Sequence, residues 1–135
     1  TMRRLTERIP IEVTYSAGQL GVIASIAAYR DGDAWLDETR ARIAANAALL
    51  QELLADRLPA VAYSPGPSTY LAWLDCRGLG LGDNPAGVFL ERGRVAVNAG
   101  TDFGTQGAGF VRLNLATTPE IITEAVDRMR DACVP

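Results

Sequence analysis

Residues Gly100–Thr117 read GTDFGTQGAGFVRLNLAT. Gly100, Gly104, Gly107 and Gly109 crowd the first part of this stretch, a density that neither a helix nor an ordinary strand tolerates. The loop they make runs directly into FVRLNL, which alternates with the period of a strand. Val111, Leu113 and Leu115 fall on one face; Phe110, Arg112 and Asn114 fall on the other. Arg112 is therefore an arginine in the middle of an apolar strand, beside a loop that lets other groups come close. A guanidinium placed there calls for an anion, because burying it unpaired is costly. Two anions fit the pattern: an aspartate or glutamate of the chain itself, or a ligand carboxylate held by a two-pronged clamp.

Working outward, TYLAWLD (Thr69–Asp75) predicts a strand covered on both faces. Ala60–Tyr63 and Val95–Val97 predict two shorter ones. On this pattern Tyr70 and Trp73 are core residues. Ala34–Leu58 predicts a long helix with Asp33 as its N-cap and Leu36, Ile43, Ala47, Leu50, Leu54 and Leu58 as its inward stripe. Asn84-Pro85 opens a short helix to about Arg92, and Thr118-Pro119-Glu120 opens the last one, Ile121–Ala132. Leu20–Tyr29 is apolar on all sides, which predicts a helix buried against protein outside its own domain. The expected architecture is α+β: a two-layer small domain with helices on one face of a small, largely antiparallel sheet, preceded by a linker and a buried helix. The boundary is placed at Asp31-Gly32-Asp33, giving a linker and interface helix over residues 1–33 and a small domain over 34–135. The loop Gly100–Gly109 is expected to be mobile.

Composition narrows the chemistry. The chain has 135 residues with 48% apolar and 21% charged content, the profile of one globular domain. Its net charge of −3 argues against nucleic acid or an anionic membrane as the main partner. No apolar run approaches the length of a membrane span. Cys76 and Cys133 have neither metal nor redox spacing, and a reducing cytosol is the expected compartment. The chain contains no histidine, and all 13 of its basic residues are arginine. Histidine triads, most zinc sites, the P-loop and a lysine Schiff base are excluded. Carboxylates, tyrosines, cysteines and arginines remain, a set too thin for a complete active site.

TYLAWLDCRGLGL (Thr69–Leu81), VAVNAGTDFGTQGAGFVRLNLAT (Val95–Thr117) and the upstream AAYRDGDAWLDETRARIAANAALL (Ala27–Leu50) resemble the C-terminal part of fold-type-I pyridoxal-phosphate (PLP) enzymes. Within the class I/II aminotransferase superfamily they are most similar to the cystathionine β-lyase-like C–S lyases. The pattern GxxFGxxGxGFxRxN is specific at this distance from TYLAWLD, and the resemblance covers nearly the whole chain. It implies a large domain, absent here, that carries the lysine and most of the PLP contacts. It also implies a small domain whose arginine receives the substrate α-carboxylate. That arginine maps to Arg112, with Asn114 on the same face as a further substrate-side candidate. Ser16, in Thr14-Tyr15-Ser16, corresponds loosely to residues that reach the cofactor phosphate of a neighbouring subunit.

The implied whole is a homodimeric enzyme that breaks the C–S bond of an amino-acid substrate by α,β-elimination, or an aminotransferase. This chain would be a fragment inactive alone. A reading from a different class is a non-catalytic module that binds an amino acid or a partner protein through the same arginine loop.

Overall fold

A computed structural model describes Pro10 and residues 18–134. Ser16 lies outside the described residues.

Helix α1 (Gln19–Asp31) follows Gly18 and stops at Gly32. A Cβ on Gly32 would run into the Ala28 carbonyl oxygen, so this junction needs a glycine. None of the residues of α1 is buried. Leu20 is 82% exposed and Ile26 57%, so the all-round apolar pattern has no cover among the described residues. Helix α2 (Asp33–Arg57) begins with Asp33 inside its first turn rather than as its cap. Its inward stripe is Asn46, Leu50, Leu53 and Leu54, flanked by the half-buried Ile43 and Ala47; Leu36 is exposed. Compactness divides the chain into residues 1–39 and 40–135, a boundary inside α2.

The second unit contains the sheet. Strand β1 (Leu71–Asp75) is followed by helix α3 (Pro85–Gly93), strand β2 (Asn98–Ala99), strand β3 (Phe110–Asn114) and helix α4 (Pro119–Ala132). Asn84 caps α3 by accepting from the Gly87 N–H at 3.2 Å, with Pro85 at the first helical position. The strands form a three-stranded antiparallel sheet in the order β1-β3-β2.

Two expected strands differ from the structure, and hydrogen bonding explains both. At Ala60–Tyr63 a turn forms instead, Val61 N–H donating to Leu58 O, and only an isolated bridge between Ala62 and Asp75 remains. At Val95–Val97 the Val95 N–H returns to Phe89 O of α3, so pairing with β3 begins only at Asn98.

The sheet has one buried and one open face. Ala72, Leu74, Val111 and Leu113 point inward and join Leu50, Leu54, Phe89, Ile122, Val126 and Met129 in a single core. The helical contribution to this core comes from α2, α3 and α4, which cover one face as the alternation predicts. The core assignment of Tyr70 and Trp73 is corrected. Trp73 is 41% exposed and Tyr70 48%. Trp73 alternates outward between the buried Ala72 and Leu74. Tyr70 precedes the strand, just after Thr69 with φ +74°, where regular alternation has not yet begun.

Candidate functional site

The open face of the sheet gathers the charged and aromatic residues. The antiparallel register places Arg112, the middle residue of β3, opposite Trp73 on β1 and Asn98 on β2. Asn98 Oδ1 accepts from Arg112 Nη2 at 3.1 Å. Arg112 Nε is buried without a hydrogen-bond partner, the one such side-chain nitrogen or oxygen among the described residues. No ion pair to Arg112 forms among those residues, so the internal carboxylate considered from sequence is not found there. The guanidinium's hydrogen-bond partner there is a neutral amide.

Its flat face is covered by the Phe103 ring, with Cζ 4.3 Å from the ring centroid. Trp73 meets Phe103 edge-on, centroids 5.8 Å apart, and stacks on Phe110 at 5.6 Å. The Arg77 guanidinium also lies over the Phe110 ring, 4.8 Å from its centroid. Arg77 is committed elsewhere: its Nε donates to Asp75 Oδ1 at 2.9 Å and its Nη2 to Asp75 Oδ2 at 2.6 Å. This fork holds the Asp75 carboxyl below the usual aspartate range and raises the Arg77 guanidinium. The open face thus presents an aromatic row with a neutralised arginine at one end and an unneutralised one at the other.

Phe103 reaches this face from the glycine loop, which is folded into two 3₁₀ turns, Gly100–Phe103 and Thr105–Gly107. The Gly104 N–H donates to Thr101 O at 3.2 Å and the Gly107 N–H to Gly104 O at 3.0 Å. Gly100 and Gly107 pack backbone to backbone: a Cβ on either would overlap the other's carbonyl oxygen. The loop expected to be mobile is in this structure a closed, self-bonded unit. Sequence reasoning assigned no role to Asn98 or Phe103. The glycine motif contains Phe103 at a fixed spacing from Arg112 but gives it no role, and only strand register and loop folding bring the three together.

Asn114 lies on the same face but does not support the guanidinium. Its Oδ1 accepts from the Ala116 N–H at 2.7 Å and braces the turn into α4. A groove of about 490 Å³ beside Val95, Val97, Leu113, Ile121 and Arg128 does not include Arg112. Among the described residues, no cluster of histidine, cysteine, aspartate or glutamate could hold a metal ion. No described helix is long and apolar enough to cross a membrane.

The fold is an α+β small domain whose three-stranded antiparallel sheet carries, on its open face, a guanidinium with an unpaired buried nitrogen. The chain belongs to the aminotransferase class I and II family, which it matches over residues 2–129. It is 44% identical, over 94% of its length, to the Mycobacterium leprae protein named "Putative cystathionine beta-lyase", of which it covers 35%. It is 34% identical, over 82% of its length, to cystathionine beta-lyase PatB of Bacillus subtilis, of which it covers 29%. The PLP-bound C–S lyase of Staphylococcus hominis complexed with the inhibitor L-cycloserine matches with a TM-score of 0.81 at 27% identity, over 90% of this chain and 31% of that one. The chain therefore spans about a third of the length of these relatives.

The family is PLP-dependent. With no lysine in the sequence, no lysine side chain of this chain can attach the cofactor covalently.

Proposed function

We propose that this chain is the substrate-carboxylate-docking part of a PLP-dependent C–S β-lyase, which converts cystathionine or a cysteine conjugate to a thiol, pyruvate and ammonia. The observation that carries the proposal is Arg112 on the open sheet face, hydrogen-bonded only to neutral Asn98 and in no ion pair among the described residues. The similarity to proteins named as cystathionine β-lyases supports the choice of reaction within the family. PLP, when bound, supplies the electron sink for elimination. Arg112 contributes orientation, because gripping the α-carboxylate restricts which bond of the substrate faces the cofactor ring. The lysine, most cofactor contacts and a homodimer interface belong, on this reading, to a longer cytoplasmic protein.

The test is made in that longer protein. Arg112→Ala is expected to raise KM for cystathionine by about 10- to 150-fold, the loss of one charge-assisted clamp, and to lower kcat. Arg112→Lys, which keeps the charge without the fork, is expected to raise KM less. Steady-state pyruvate release measures both, and unchanged kinetics in the two variants would rule out the docking role. Keto-acid formation from an amino donor, in place of thiol and pyruvate release, would identify an aminotransferase instead.

A further inference from the structure

Phe103 is half exposed and lies outside the buried core cluster. Its contacts are with other residues of the open face. The ring covers the flat face of the Arg112 guanidinium at 4.3 Å, and the Trp73 edge abuts it at 5.8 Å. Behind it, the backbone contact of Gly100 with Gly107 closes the loop that carries the ring.

We propose that Phe103 is a positioning residue. By stacking on Arg112, it fixes the plane of the guanidinium that docks a ligand carboxylate. The proposal rests on the carboxylate role of Arg112 given above. A guanidinium donates its hydrogen bonds in its own plane, so a ring on its face takes none of them and still restrains rotation about the last side-chain bonds. The restraint matters because, among the described residues, the guanidinium makes only one hydrogen bond, to Asn98. Nε is sealed from solvent, so an incoming carboxylate meets the terminal nitrogens and its alignment follows the tilt of the plane. The edge-on contact with Trp73 limits movement of the Phe103 ring.

The experiment uses the longer protein that contains this chain, with L-alanine and L-alanine methyl ester as competitive inhibitors of β-elimination. The ratio of their inhibition constants reads the preference for a free carboxylate. Phe103→Leu keeps an apolar side chain at an exposed site but removes the π face, and is expected to reduce this preference about tenfold. Phe103→Tyr keeps the face and is expected to hold the preference within about twofold of the parent. Equal loss in both variants would overturn the proposal, since the π face would then not be the cause. An unchanged preference in Phe103→Leu, with a lost preference in Arg112→Lys, would overturn it while leaving the carboxylate role standing. An unchanged preference in Arg112→Lys would remove the carboxylate role, and the proposal with it.

Discussion

Two single residues in this chain are defined by what surrounds them, with opposite consequences. Cys76 is fully buried behind β1. Burial first, then the Asp75 and Cys133 charges, pushes its thiol up to about 12. It stays protonated at neutral pH and unreactive as a nucleophile. Cys133 is half-buried, its Sγ–H donating to Met129 O at 3.2 Å. At pH 8 a disulfide reagent is expected to label only Cys133 in the folded chain and both thiols after unfolding; prompt labelling of both in the native state would contradict the burial. Asn46 is the reverse case, a polar residue buried because it is satisfied. Its Nδ2 donates to Leu115 O at 2.9 Å and to Thr117 O at 2.8 Å, tying α2 to the connection between β3 and α4. Asn46→Ala leaves two carbonyls without a donor and is expected to cost about 1–3 kcal/mol. Denaturant unfolding would show this as a lower midpoint with an unchanged slope.

At the scale of elements, the glycine loop and β3 act together. The loop is closed by the Gly100–Gly107 contact, and that closure sets where Phe103 stands relative to Arg112. Gly107→Ala would force the two backbones apart. It is expected to cost about 1–3 kcal/mol and also to weaken binding of a carboxylate ligand. Gly80→Ala is the comparison: φ there is +67° but the space around it is open. It is expected to cost about 1–2 kcal/mol through backbone conformation alone, with ligand binding unchanged. Measuring both variants for unfolding, and in the longer protein for inhibition by L-alanine, separates loop closure from general destabilisation. The sheet itself was largely legible. Alternation in FVRLNL assigns Arg112 and Phe110 to one face and Val111 and Leu113 to the other, as observed. The short segments at Ala60–Tyr63 and Val95–Val97 were not, because their N–H groups are claimed by a turn and by α3, and composition does not encode that competition.

At the scale of the whole molecule, the proposed docking role would give the chain one side of a reaction. It has no lysine and about a third of the length of its relatives. This chain alone, supplied with PLP and cystathionine, is expected to release no pyruvate; release above a no-protein control would require another amine to do the work assigned to a lysine. The apolar surface of α1 fits the same picture, since a helix built from leucine, valine, isoleucine and alanine on every side favours burial.

Periodicity, capping residues and the glycine pattern were enough for the four helices, for β3 and for the face that carries Arg112. Each of these depends on neighbours along the chain. The motif spacing was enough for the family. The company Arg112 keeps depends on strand register and loop closure, which join residues far apart in sequence. Asn98 as its hydrogen-bond partner, Phe103 over its face, Trp73 on the open side and Asn114 turned to Ala116 became visible only in the folded chain.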